Sequence, residues 1–474
     1  MRIIQVVSSM AEGDGVTNGV LGIKKILDKN NIINEIWTPC VLRGLQDVDI
    51  QIVCNICNDM FLIDDILIYH FASGSELNII VERLNVKKIL MYQNVTPPYF
   101  FRGIEKNMFV GCMWGQYDAK QTVGNYVKAI VPSDYSKSEL ISYGWKKEHI
   151  KVIPVFSLEI GNGKFDESIF EKYNDGYINF LYTGRMVPNK KVEDVIKVFN
   201  YYKHNVNNNS RLFLIGSNGP EKYMEALKSY ISRNNIQNII FTGHVSNEEL
   251  EAYYKIASVY LCMSEHEGFC IPVLEAFKRG VPVIAYDCTA VGGTMGKAGI
   301  HVKEKNEREI SDIITKIVNE EEYRTEIIEN QYKRAKEFNI ISYESNIITL
   351  LNDVQLLELS NRNDTDFVTT EMSYKAKESF VVYGYGKIGK AFVQESLTLK
   401  DKILVAICDN KIHGDNSISI PFYNHDNCVK AFPDNKYIIT VQQGFVDIVA
   451  SLVKDGIDIN NIYYYDSVRK CIRR

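Results

Sequence analysis

Short runs of β-branched and other apolar residues alternate with longer amphipathic stretches from the start of the chain. Ile3–Val7, Ile66–His70, Lys88–Tyr92, Lys128–Val131 and Lys151–Val155 read as strands. Such alternation predicts layered α/β structure around parallel sheets. A second series, Tyr177–Tyr182, Arg211–Ile215, Ile239–Phe241, Ser258–Met263 and Val281–Tyr286, predicts a second α/β domain. In Ser246-Asn247-Glu248-Glu249 the Ser and the Glu three residues later can form a capping box, which puts Glu248–Ile256 on a helix. Ser342–Leu359 reads as helical, and the polar segment Ser360–Asp366 after it has no apolar periodicity and predicts a linker. Ser379–Tyr383, Ile403–Cys408, Tyr437–Val441 and Ile462–Tyr465 supply strands for a compact third unit.

Composition narrows the class. A chain of 474 residues is long for one core and suggests roughly three domains. With 46% hydrophobic and 24% charged residues it matches a folded, water-soluble protein. A formal charge of -5 gives no global positive field for nucleic acid. Ile3–Val7 is too short for a secretory apolar region, and no stretch reaches the roughly 20 apolar residues of a spanning helix. The expectation is a cytoplasmic protein, with peripheral contact at the inner face of the membrane left open. Ten cysteines over this length do not form a dense disulfide framework, so free thiols are expected. The one Cys-x-x-Cys, Cys54 to Cys57, lacks the further ligands of a structural zinc site.

Two segments carry candidate chemistry. In Ser264–Ala276 two carboxylates, Glu267 and Glu275, flank a turn into a helix marked by Pro272. Following the strand Ser258–Met263, this loop falls at a strand's carboxyl end, where open α/β sheets bind ligands. Amides of Gly268, Phe269, Cys270 and Ile271 would face a phosphate at the helix N-terminus. Glu275 could accept hydrogen bonds from a vicinal diol such as ribose, and Glu267 could touch a transferred sugar. After the strand Tyr177–Tyr182, Arg185 and Lys190 could clamp a pyrophosphate and neutralise charge on a departing nucleoside diphosphate. Alone, each feature has a plain reading as a solvated surface.

Together they resemble the retaining glycosyltransferase family with the GT-B fold that includes bacterial phosphatidylinositol mannosyltransferases and sucrose synthases. Gly184-Arg185…Lys190, Phe241–Val245, Ser264–Glu275 and Gly280–Ala285 occur in that family's order, and the resemblance covers residues 1 to about 355. Gly13–Gly19, Ile68-Tyr69-His70 and Gln93–Pro98 look like members acting on surface polysaccharides. The resemblance implies two facing Rossmann-like domains: 1–155 on the acceptor side, joined by the crossover helix at about 342–359, and 156–341 on the donor side. It implies a nucleoside-diphosphate-sugar donor, a glycan, lipid-linked or protein acceptor, and transfer needing no cofactor. Arg185 and Lys190 would hold the pyrophosphate, Glu275 the ribose and Glu267 the donor sugar. Gly15 would approach the phosphates from the opposite domain, and His70 would stand near the reacting sugar. The loop Ala290–Thr294 departs from the pattern by lacking the proline and glutamate often found there.

Asp47-Val48-Asp49 and Asp364-Thr365-Asp366 mimic the Asp-x-Asp of metal-dependent transferases but follow no convincing strand, so no metal site is expected. Beyond a linker at 360–377, a small Rossmann-like module at 378–474 carries Gly384-x-Gly386-x-x-Gly389 after a strand, with Asp409 after the next. That is the pattern of a dinucleotide fingerprint, open to NAD(P) or another nucleotide. A Rossmann-like shape retained for docking fits the same residues. Two competing readings are a sugar-nucleotide oxidoreductase using this fingerprint and a non-catalytic binding protein.

Overall fold

The computed structural model describes residues 1–53, 56–155, 164–357, 378–397, 402–412, 414, 418–441, 445–458, 461–466 and 471–473. The linker expected at 360–377, the triplet Asp364–Asp366 and Cys54 lie outside them. The chain divides into two compact units, Met1–Glu105 with Gly111–Leu359, and Ser360–Arg474 with Lys106–Val110.

The first unit holds two large sheets. In the first, β1 (Ile3–Val7), β2 (Asn34–Thr38), β3 (Gln51–Ile52), β4 (Ile66–Phe71), β5 (Lys87–Tyr92), β6 (Lys128–Val131) and β7 (Ile150–Val152) run parallel in the order β3-β2-β1-β4-β5-β6-β7. The second comprises β8 (Ile178–Thr183), β9 (Ser210–Ile215), β10 (Ile239–Gly243), β11 (Val259–Cys262), β12 (Val283–Tyr286) and β13 (Ile300–Val302), parallel in the order β10-β9-β8-β11-β12-β13. Both orders reverse direction once, between β1 and β4 and between β8 and β11, and an open α/β sheet forms its ligand crevice at that reversal.

Parallel strands covered on both faces read as continuous apolar runs, which is why β1 and β4 are buried at every position. Their period of two sorts Ile4, Val6, Leu67, Tyr69 and Leu90 to one face and Ile3, Ile66, Ile68 and Ile89 to the other. The helix Ile340–Leu356 follows the second sheet yet adds Ile347, Leu350, Leu351 and Val354 to that second face of the first. Lys29 and Glu344 pair across this junction at 2.7 Å.

The second unit repeats the theme. β14 (Glu378–Tyr383), β15 (Lys402–Cys408), β16 (Phe422–Tyr423), β17 (Lys436–Ile439), β18 (Ile462–Asp466) and β19 (Cys471–Arg473) order as β16-β15-β14-β17-β18-β19, with only β19 antiparallel.

The structure corrects three sequence readings. The strand placed at Lys151–Val155 spans only Ile150–Val152, ending before Pro154, which has no N–H for a ladder. Ala290–Thr294, read as a loop, mostly winds into the short helix Val291–Met295, with Val291, Thr294 and Met295 buried. The strand placed at Val281–Tyr286 begins only at Val283, because Pro282 has no N–H to give a ladder. The capping box holds: Ser246 Oγ accepts from Glu249 N, and Glu249 accepts from Ser246 N.

Candidate functional site

The carboxyl ends of β8 and β11 bring the two motif segments together. The loop after β8 runs through exposed Arg185 to a 3-10 turn at Pro188–Lys190. Lys190 Nζ stands 2.5 Å from Glu267 Oε2 in the loop after β11. Burial works against the Lys190 ammonium, but Glu267 offsets it and the pKa is raised. Backbone links fix the pair: Glu265 N donates to Asn189 O at 2.8 Å, and Asn189 Nδ2 donates to His266 O at 3.2 Å. Thr289 Oγ1 accepts from Glu267 N at 2.9 Å and donates to Glu267 O at 3.0 Å, gripping that residue from both sides.

Gly268, Phe269 and Cys270 complete the loop, and the helix Ile271–Lys278 starts after Cys270, which takes the left-handed conformation with φ 76°. No side chain caps that helix, so its N-terminal amides keep their capacity for an anion. Glu275, one turn in, accepts from Tyr254 Oη at 3.2 Å. Burial raises its pKa, against the opposing pull of Arg279. Among the described residues Arg185 forms no ion pair, and its guanidinium is exposed.

The first sheet supplies the facing wall. Asp14 caps the helix Gly15–Lys29, accepting from Val16 N and Thr17 N at 3.1 Å each. Among the described residues, apart from its chain neighbours and its own helix backbone, nothing lies within 4 Å of where a Cβ on Gly15 would stand, so packing does not demand glycine there. His70, near the end of β4, is buried. Gln5 Nε2 donates to Val20 O, which turns Gln5 Oε1 toward His70 Nε2 at 3.0 Å and makes that nitrogen the donor. Nδ1 is therefore a bare acceptor, buried and unpartnered among the described residues. Burial lowers the His70 pKa to about 3, so the ring is neutral.

The walls meet through residues that the sequence reading did not place in the site. His266 Nε2 lies 2.5 Å from Asn94 Oδ1, Asn94 Nδ2 donates to Glu139 Oε2 at 2.8 Å, and Tyr92 Oη donates to the same oxygen at 2.6 Å. Ser133 Oγ donates to Gly268 O at 2.8 Å. His266 is buried, and burial holds its pKa down at about 4. Asn94 and Glu139 had no sequence signal beyond the Gln93–Pro98 segment, because the contact joins positions 172 residues apart.

In the second unit, a Cβ on Gly389 would lie 2.1 Å from Gly384 O, so glycine lets the helix Lys387–Leu397 close onto the end of β14. Gly384 has φ 94°, and a Cβ on Gly386 would meet open space. Asp409 is engaged with its own backbone: Oδ2 accepts from Tyr385 N at 2.7 Å, and Oδ1 from Lys411 N at 2.8 Å and Ile412 N at 3.0 Å. It organises the glycine loop, and the oxidoreductase reading draws no support from it.

No helix among the described residues is long and apolar enough to cross a membrane. The comparisons with known proteins bear on the first unit. Residues 165–334 match the family described as glycosyl transferases group 1. An uncharacterized glycosyltransferase, MJ1178, of Methanocaldococcus jannaschii is 26% identical over 57% of this chain and 70% of its own. The O-antigen chain mannosyltransferase B of Escherichia coli is 26% identical over 40% of this chain and 49% of its own, so this chain spans only about half of that relative. The crystal structure of Anabaena Alr3699/HepE in complex with UDP and glucose superimposes with a TM-score of 0.56 at 16% identity, covering 74% of this chain and 99% of that one. That likeness carries the fold. With the strand orders and the matched segment, it makes residues 165–334 a glycosyl transferases group 1 domain within a body of the GT-B fold.

Proposed function

We propose that the protein is a retaining, metal-independent glycosyltransferase that moves a sugar from a nucleoside diphosphate to a saccharide, lipid-linked or protein acceptor in surface polysaccharide assembly. The observation that carries this reading is the Lys190–Glu267 pair beside an uncapped helix N-terminus at the strand-order reversal between β8 and β11. Apart, a lysine and a glutamate are commonplace. Here they meet where free amides already favour a diphosphate.

The pyrophosphate would draw Lys190 away from Glu267 and take Arg185 as a second cation. Glu267, released, would accept hydrogen bonds from the donor sugar, and Glu275 from the ribose hydroxyls. His70 Nδ1, a neutral acceptor without a partner among the described residues, suits a sugar hydroxyl from the opposite wall. As the bond from the anomeric carbon to the diphosphate oxygen breaks, the acceptor oxygen bonds to the same face and its proton passes to the departing oxygen. Arg185, Lys190 and the loop amides would stabilise the charge that accumulates there, the role a metal ion plays elsewhere. The UDP and glucose bound in the Alr3699/HepE structure make a UDP-sugar the first donor to test, and the O-antigen chain mannosyltransferase B makes a glycan the first acceptor to test.

Thermal-shift measurements with UDP-, GDP- and ADP-sugars test the donor class, since a ligand of the native state raises its melting temperature by mass action. Stabilisation by none of them would remove the reading. Transfer should persist in excess chelator; activity lost to chelator and restored by manganese or magnesium would contradict the metal-independent mechanism.

A further inference from the structure

Beside Glu267 lie two thiols that the transfer does not use. Cys262 ends β11 and Cys270 precedes the helix Ile271–Lys278; both are buried free thiols, and their sulfurs lie 3.7 Å apart. A carboxylate oxygen of Glu267 completes a triangle in which all three ligand atoms fall within 4.8 Å of one another. Two thiolates held at about 2.3 Å by a tetrahedral ion are about 3.8 Å apart, so the sulfurs already stand at the separation such an ion sets. Two sulfurs and one oxygen select a zinc-class cation over magnesium or calcium. The charges also balance. A dication with two thiolates and a carboxylate leaves one negative charge, and the Lys190 ammonium beside Glu267 compensates it.

We propose that Cys262, Cys270 and Glu267 form an inhibitory site for a thiophilic divalent cation, occupied in alternation with the sugar-nucleotide donor. On binding, both thiol protons leave to solvent, two sulfur–metal bonds and one oxygen–metal bond form, and nothing is oxidised or reduced. Water fills the fourth position. Alternation with the donor rests on the function proposed above, because Glu267 and the loop amides would serve both ligands. Lys190, a quarter exposed, stays beside the carboxylate as its counter-charge.

Cobalt(II) added to the reduced full-length protein is the probe, since tetrahedral thiolate ligation gives intense sulfur-to-cobalt charge-transfer bands. The bands should saturate, disappear in Cys262→Ser, and persist in Cys428→Ser, which disrupts the other paired thiols, Cys408 and Cys428. Zinc should weaken apparent donor binding by more than about tenfold in the wild type and leave Cys262→Ser unaffected. Absence of the bands, or their survival in Cys262→Ser, would overturn the site. Bands that persist under saturating donor, in protein that binds the donor, would overturn the alternation. Protein that binds cobalt but no sugar nucleotide would instead overturn the donor assignment and leave the metal site standing.

Discussion

At the scale of single residues, the proposed donor site rests on the charges of Arg185, Lys190, Glu267 and Glu275. Arg185→Ala and Glu275→Gln should each weaken donor binding or transfer by about tenfold or more, about 1.4 kcal/mol, through loss of a charge-assisted hydrogen bond. Both residues lie outside the apolar core clusters, so the circular dichroism of the variants should match the wild type. If both turn over donor at the wild-type rate, the donor site is elsewhere. The two buried histidines make a separate prediction about acid. His70 and His266 are held neutral, with pKa lowered to about 3 and about 4 by burial, against about 6.5 in the unfolded chain. Between these values the unfolded state binds more protons. Stability is therefore complete above about pH 6.5 and declines as pH falls toward 4, by at most about 1.4 kcal/mol per pH unit for each ring. Urea unfolding of His266→Gln across this range should show a shallower decline; an unchanged slope would mean that His266 is not a buried neutral ring.

At the scale of elements, the cleft is a set of loops pinned at the ends of strands. A Cβ on Gly268 would come within 2.9 Å of Asn94 Cβ and 3.0 Å of Gln93 O, so the loop after β11 touches the facing wall only because that residue is glycine. Gly268→Ala should oppose the closed arrangement by about 1–3 kcal/mol and weaken donor binding by about tenfold or more, with the fold intact. Donor binding equal to the wild type would show that the closed contact is not the binding geometry. The helix Ile340–Leu356 has a different task, because it seals the far face of the first sheet after the chain has left the second. Ile347→Ala removes a buried side chain there and should cost about 2–5 kcal/mol, read as a lower urea midpoint for the first unit. Most of these elements were legible beforehand, since long buried strands and a capping box write themselves into apolar runs and fixed spacings. The strands Asn34–Thr38 and Ile300–Val302 were not read: they lie toward the sheet margins, mix polar with apolar residues, and are specified by the neighbours they pair with.

At the scale of the molecule, the two units make separable predictions. A chain ending at Glu371 keeps both sheets that bound the cleft and the helix Ile340–Leu356, so it should stay soluble and retain donor binding and slow donor hydrolysis. Loss of donor binding in a well-folded truncation would assign the second unit to the active site. Sequence alone determined the class of this protein. Three series of apolar runs fix three sheets built of parallel strands, the last edged by the antiparallel β19, and the segments around Arg185 and Glu267 fall within the matched glycosyl transferases group 1 domain. Those features are local, and each is stated by residues within a few turns of one another. Tertiary structure decided which residues meet. It joined Lys190 to Glu267, set Asn94 against His266, left His70 Nδ1 bare and engaged Asp409 with its own loop. It also brought two thiols beside the Glu267 carboxylate. Each of these depends on side chains meeting after the strands are laid side by side, and spacing along a chain does not encode which ends converge.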